Sequence, residues 1–556
     1  MGMYLRRIAR RRKDGSQVAY FQLARKVRDE RGRVRDDIVY HFGRADQLAE
    51  DQLRRLVRSI SRVLSPVEQT QLTAQLEGAG ADLAVEHSAA FGGAYLLDAL
   101  WRRLGIDTAL REAFAGRAVA GEVERLIFAM VANRALAPRS KLAVERWVGR
   151  KAAIPGLAEA SAHRLYRAMD ELVAHGEAVQ RAVFESTASL LNLEVDLLLV
   201  DTTSVYFEVE EADDTDGLRR FGHSKDHRED RPQIVIALAV TRGGLPVRCW
   251  TVPGNTADAA MVERVQRDLA GWRLNRVVWV MDRGMAGETQ RAALQRGGGH
   301  AILGEKLRSG QADVEAALKR PGRFRKIADD LEAKEVTLAR GSQKRRFVLV
   351  RNPAEAERDR AQRAAILDEL EAELQRQPAG AEGHGRRACG LFAHPVYGRY
   401  LRQDARGRPV IDKAKVAAEA RLDGKYLLST TDPSLAVADV VLGFKQLAEV
   451  ERAFRTLKSH LELRPIHHYR PHRIEAHVLL CWLALLLVRV VETETGQTWR
   501  RVREAMDDMA LVTLSGKDGR LQAVSQPTNE QRNILNTLNI PPPKPLRKAV
   551  TTPAAA

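Results

Sequence analysis

Cysteine is scarce and none of it is paired in sequence: Cys249, Cys389 and Cys481 are the only three in 556 residues, with no C-x-x-C among them. That excludes a disulfide framework and a cysteine-rich zinc module, and it suits a reducing cytoplasm. Neither a P-loop nor a G-x-S-x-G elbow occurs, so nothing points to an ATPase or esterase of those types. The opening MGMYLRRIARRRKDG lacks the apolar stretch of a signal peptide. The most hydrophobic run, VLLCWLALLLV from Val478 to Val488, is too short to span a bilayer and sits between His477 and Arg489. It reads as a buried core helix, and no membrane partner is expected. Acid is in deficit: 72 Asp and Glu face 89 Lys and Arg, a net charge of +17 that favours a polyanionic partner and salt-sensitive binding. A chain this long can build about three or four domains.

Residues 1 to 62 read as a small basic β unit plus a helix, with turn signals KDGS at Lys13 and ERGR at Glu30. Its Arg6, Arg7, Arg10, Arg11, Arg12 and Lys13 are candidates to grip phosphates; the plain alternative is a solvated strand face. From 86 to 192 the apolar period becomes helical, with Ser161 or Ala162 near a helix start, giving an all-α module for DNA binding or dimerisation. Residues 195 to 305 read β-β-β-α-β-α-β. The first strand ends near Asp201, the pair QIVIALAVTRGGLPVRCWTV folds about Arg242, Gly243 and Gly244, and VVWVMD ends in Asp282. The core pattern stops between 306 and 425 and resumes with YLLSTTD. The tail from 491 to 556 is polar and is expected to be loosely ordered.

Two apolar strands ending in aspartate, at Asp201 and Asp282, are joined by Glu451 on the basic helix FKQLAEVERAFRTLKSHL. Three carboxylates of this kind make a site for two Mg²⁺ ions, which need few protein ligands and can hold the attacking and leaving oxygens of a phosphodiester in line. At roughly 100° per residue, Leu447, Val450, Phe454, Leu457 and Leu461 form one apolar stripe with Glu451, Arg455 and Lys458 along its edge, while Glu449 points away. Glu451 is therefore preferred as the third ligand. The alternative is an ordinary Glu–Arg pair on a surface helix. The loop GHSKDHRED puts His223, Lys225, His227 and Arg228 near Asp201, as a DNA-contacting flap or a solvated charge run. His467, His468, His472 and His477 have no cysteine near and are interleaved with Arg and Pro, so a zinc site is not expected.

These words and spacings resemble the DDE transposases of bacterial insertion sequences, in the branch whose helix signature is Y-x2-R-x3-E-x6-K. Glu451 and Lys458 keep the E-x6-K half, while Phe444 and Leu447 stand where that family has Tyr and Arg. GHSKDHRED, PGNT from Pro253 and RTLKSHLELRPIHH extend the likeness over residues 195 to 490. The resemblance implies an α/β fold: an RNase H-like catalytic core with an insertion domain at 306 to 425, in which Asp201 and Asp282 lie side by side on parallel strands. It further implies that Asp201 bridges two Mg²⁺ ions, Mn²⁺ being able to substitute, with Asp282 and Glu451 each holding one. Water then cuts at the element end, and the released 3′-hydroxyl attacks target DNA. Lys458 and Arg455 would bind phosphates beside the cut, with Lys445 serving in place of the missing Arg. The implied partners are the terminal inverted repeats and target DNA, with a homodimer on the DNA in the bacterial cytoplasm, at the nucleoid. Some relatives stack a flipped base on a Trp in the insertion. This chain has none between Trp279 and Trp482, leaving Phe324, Phe347, Tyr397, Tyr400 or Tyr426 to substitute. The competing readings are a nuclease of the same fold that hydrolyses without joining, and a DNA-binding protein whose catalysis has lapsed.

Overall fold

The computed structural model describes residues 3–11, 17–28, 34–44, 84–115, 120–191, 197–214, 217–272, 278–281, 300–340, 343–376, 386–516 and 519–551. The chain divides into two compact units: residues 1–86 with 514–521 and 549–556, and residues 87–513 with 522–548. In the first unit β1 (Met3–Arg11), β2 (Gln17–Arg28) and β3 (Val34–Arg44) form an antiparallel sheet in that order. β1 carries Arg6 opposite Gln22 and Arg10 opposite Val18. The side chains of Arg6 and Arg10 lie outside the described residues, as do Arg12, Lys13 and the helix expected before residue 62.

After β4 (Ala84–Ala90) come six helices: α1 (Gly92–Arg103), α2 (Ile106–Ala113), α3 (Ala120–Leu136), α4 (Lys141–Trp147), α5 (Ala162–Ala174) and α6 (Gly176–Leu190). Ser161 caps α5, its hydroxyl accepting the Arg164 N–H, because that donor has no partner within the helix.

The large sheet begins with β5 (Leu197–Tyr206), β6 (Gln233–Thr241) and β7 (Pro246–Pro253), antiparallel neighbours. α7 (Asp258–Asp268), β8 (Val278–Met281) and β9 (His300–Glu305) follow, and β5, β8 and β9 run parallel. β5 does not end at Asp201. The run TTSV, β-branched at Thr202, Thr203 and Val205, carries it on to Tyr206, so Asp201 sits mid-strand opposite Leu238. Strand alternation then sets the faces: Leu198 and Val200 pack toward Met261 and Val265 of α7, while Leu197 and Leu199, in phase with Asp201, pack into the opposite core.

Residues 306–424 hold α8 (Ala312–Lys319), β10 (Arg325–Ala328), β11 (Leu331–Arg340), β12 (Gln343–Arg351), α9 (Pro353–Gln375), α10 (Arg386–Ala393), β13 (Leu401–Gln403), β14 (Pro409–Ile411) and α11 (Lys413–Ala420). β15 (Lys425–Thr430) pairs with both β9 and β12, so the sheet is mixed and nine-stranded, in the order β10-β11-β12-β15-β9-β8-β5-β6-β7.

The chain then makes α12 (Val437–Lys445), α13 (Ala448–Ser459) and α14 (Pro471–Thr495). α14 is long and apolar enough to cross a membrane by length and composition, yet 94% of its most apolar window is buried in the protein. It packs on α3, α5 and β7, joining the helical module and the sheet into one unit where separate domains are expected. The tail also departs from the expectation. Trp499, Val502 and Met506 on α15 (Trp499–Asp507) recur at helical spacing and are buried, and α16 (Asn529–Thr537) starts with a capping box from Thr528 and Gln531.

Candidate active site

Asp201 and Glu451, 250 positions apart in sequence, line one cavity of about 460 Å³. β5 supplies Asp201, and α13 packs on β5 and β6 to supply Glu451. The stripe expected on this helix is buried: Leu447 8%, Val450 0%, Phe454 6%, Leu457 4% and Leu461 0% exposed. The helix is not continuous from Phe444, however. α12 and α13 break at Gln446 and Leu447, and Phe444 packs against Tyr426 with ring centroids 5.9 Å apart. Burial pushes the Tyr426 hydroxyl up to about 12, so it stays protonated beside the carboxylates.

Glu449 and Glu451 have opposite fates. Glu449 accepts from Arg489 at 2.8 Å and from Arg452 at 2.6 Å, whereas Glu451 is exposed at the cavity. Asp282 follows Met281 in sequence and lies outside the described residues. Among the described residues, no group of three or more His, Cys, Asp and Glu is arranged to hold a metal. Two more carboxylates that sequence reasoning missed, Glu355 and Asp359 on α9, line the same cavity. Asp359 accepts the Gly424 N–H at 2.8 Å, and Glu355 pairs with Arg358 at 2.8 Å.

The GHSKDHRED loop lies against the PGNT turn. A Cβ on Gly222 would stand 2.2 Å from the Gly254 carbonyl oxygen, so this close approach requires glycine, and Gln233 Nε2 donates to the carbonyls of both His223 and Gly254. The next residues turn toward β5. Lys225 N–H donates to Ser204 Oγ, and its Nζ donates to Thr202 O at 2.6 Å and Thr202 Oγ1 at 2.9 Å, standing 3.4 Å from Asp201 Oδ1. Asp226 accepts from Lys458 Nζ at 3.1 Å on both oxygens and from Arg464 at 2.8 Å. Burial lowers the Lys458 ammonium from its ordinary range, against the pull of Asp226.

Of the remaining cation candidates, Lys445 lines the same cavity as Asp201 and Glu451. Arg455 is exposed on α13, and Lys445 pairs with Asp330 at 3.1 Å. Arg228 pairs with Asp230 at 2.8 Å and lies over the Tyr206 ring, and His223 contacts Glu229. Of the histidines, His468 packs edge-on to Tyr166, His472 meets Asp170, and His477 contacts the Leu463 carbonyl. Of the aromatic candidates, Phe347 is fully buried and Tyr400 nearly so, whereas Tyr426 lines the cavity.

Asp201 and Glu451 offer carboxylate oxygens, the donor type a hard cation takes, and the Lys225 ammonium stands 3.4 Å from Asp201 Oδ1. Residues 196–487 match the family model described as transposase DDE domain, and residues 5–71 match that of the IS1634 family transposase N-terminal domain. No curated protein matches the chain. Among solved structures, it is similar to a chain of the piggyBac transposase synaptic complex with hairpin DNA, at 9% identity and TM-score 0.35, over 74% of this chain and 78% of that one.

Proposed function

The chain belongs to the insertion-sequence transposases with a DDE domain, and from that premise we propose that Asp201, Asp282 and Glu451 hold two Mg²⁺ ions in a site that cuts element ends and joins them to target DNA. The observation that carries this reading is the convergence of Asp201 and Glu451 on one cavity. The strand order β7-β6-β5-β8-β9, with three antiparallel members and two parallel ones, supports an RNase H-like core. Asp282 is the residue after β8, the parallel neighbour of β5.

When bound, the metal pair supplies Lewis-acid activation of the attacking hydroxyl and of the scissile phosphate. The chain's own groups do the rest. Thr202 N–H donates to Asp201 Oδ1 at 2.7 Å and orients that carboxylate. α13 keeps Glu451 at the cavity by burying its apolar stripe, and the Arg489 pair holds Glu449 away from it. Lys458, Arg464 and Arg455 supply cations for the phosphates flanking the cut. The net charge of +17 suits a DNA partner in the cytoplasm, where two copies would bring two element ends together.

The test uses the full chain and duplexes carrying the inverted repeats that flank its gene. Asp201→Asn, Asp282→Asn and Glu451→Gln should each abolish cleavage and joining while leaving end binding nearly intact. Activity should require Mg²⁺ or Mn²⁺ and fail in Ca²⁺, whose larger and looser coordination misplaces the nucleophile. Retained cutting by one variant removes that residue from the triad, and full activity in EDTA sinks the mechanism. Cleavage without transfer of a 3′-hydroxyl oligonucleotide into plasmid would leave a hydrolytic nuclease.

A further inference from the structure

Two adjacent residues of one short turn hold opposite charges of the site. Lys225 reaches Asp201 and Thr202, and Asp226 reaches Lys458 and Arg464. The turn between them is tight: His227 N–H donates to Ser224 O, His227 has φ of 56°, and Ser224 is fully buried. The Lys225 N–H bond to Ser204 ties the same turn to β5. A shift at either end is therefore transmitted to the other over one peptide unit.

We propose that Lys225 and Asp226 are positioning residues forming a two-ended clasp, in which the ammonium fills the cation place at Asp201 and the carboxylate fills the phosphate place at Lys458 and Arg464. The inference rests on the reading of Asp201 as a metal ligand and Lys458 as a phosphate ligand. A divalent cation arriving at Asp201 displaces Lys225, since two like charges cannot share one carboxylate oxygen without repulsion. A DNA phosphate arriving at Lys458 and Arg464 displaces Asp226 for the corresponding reason. Because the two residues are neighbours, each ligand loosens the competitor of the other. Metal and DNA then bind with positive coupling, reciprocal by linkage.

The probes are Mn²⁺ followed by electron paramagnetic resonance and a random-sequence duplex followed by fluorescence anisotropy, both on the full chain. In the wild type, saturating duplex should tighten Mn²⁺ binding several-fold, and Mn²⁺ should tighten duplex binding by the same factor. Asp226→Asn should tighten Mn²⁺ without DNA and raise duplex affinity about tenfold with the salt slope unchanged, because Lys458 and Arg464 meet phosphate in both proteins. Asp226→Glu should behave as wild type. A slope steeper by about 1.8, the value for two newly exposed cations on duplex DNA, would instead make Asp226 a permanent screen and overturn the clasp. Unchanged or weaker duplex affinity would make Asp226 a structural anchor and overturn it too. Absence of coupling in the wild type overturns the proposal without any variant. Mn²⁺ binding that survives Asp201→Asn overturns the metal assignment itself and the clasp with it, whereas Asp201-dependent Mn²⁺ binding uncoupled from DNA overturns the clasp alone.

Discussion

Glu449→Gln and Glu451→Gln remove the same charge from the same helix two residues apart, yet they should fail in opposite ways. Arg489, whose side chain is 6% exposed, receives Glu449 at 2.8 Å and Glu492 at 3.0 Å, with the Gly244 and Gly243 carbonyls at 3.3 and 3.4 Å. Stripping one carboxylate from a fully buried pair costs roughly 3–5 kcal/mol. Here Glu492 remains and the Gln carbonyl still accepts, so the loss should be about 2 kcal/mol, near the value of one charged hydrogen bond. Glu451 is exposed, and its amide should change stability by less than about 0.5 kcal/mol. Urea unfolding of both variants, followed by Mn²⁺-dependent cleavage at a temperature where both are folded, gives the comparison. Glu449→Gln should be destabilised and active; Glu451→Gln should be stable and inactive. The reverse pattern, cleavage lost in a stable Glu449→Gln and kept in Glu451→Gln, would refute the assignment of helix faces on which the site rests.

Gly254→Ala would place a Cβ 2.0 Å from the Gln233 carbonyl and 2.4 Å from that of Arg220, both backbone atoms. A melting temperature lowered by several degrees, with reduced cleavage as the GHSKDHRED loop shifts, is the expected result, and an unchanged melt would contradict it. Burial holds His468 at about 4 in the fold against 6.5 unfolded, so its contribution is whole above pH 6.5 and is lost as pH falls toward 4. Denaturant melts from pH 7.5 to 4.5 should lose about 2–3 kcal/mol on this account, and His468→Gln should flatten the decline. Burial and Arg134 bring the Lys141 ammonium down to about 7, so the unfolded chain binds the extra proton above that pH and stability should rise by about 2 kcal/mol between pH 7 and 9. Lys141→Met should be more stable than wild type at pH 7 and lack that rise, as melts at the two pH values would show.

What the sequence made legible was local. The stripe on α13 and the placement of Glu451 and Glu449 on different sides of it follow from helical spacing, the β6–β7 hairpin follows from its turn glycines, and the burial of α14 follows from its composition. What stayed hidden was long-range. β12 pairs with β15 across some 75 residues of intervening helix and loop, and nothing in the alternation of RRFVLVR says which sheet it joins. The pairing of Lys225 with Asp201 and Asp226 with Lys458 is invisible in a run that reads only as charged. Arg489 interrupts an otherwise apolar run, and a buried guanidinium demands a carboxylate; the run says nothing of which, and the structure supplies Glu449 and Glu492.

The strands that continue the sheet past β9 also bear on solubility. A bare sheet edge offers a row of unpaired donors and acceptors to any passing chain. β15, β12 and β11 cover that row in turn, and the outermost strand is β10, four residues long, with Arg325 and Lys326 exposed and a register irregularity next to them. A short, charged, irregular border is a poor template for a second copy. Excising residues 306–424 would leave β15, whose residues from Leu427 to Thr430 are buried, with its outer side uncovered. Such a truncation should therefore self-associate through that side, a border that residues 306–424 cover in the intact chain.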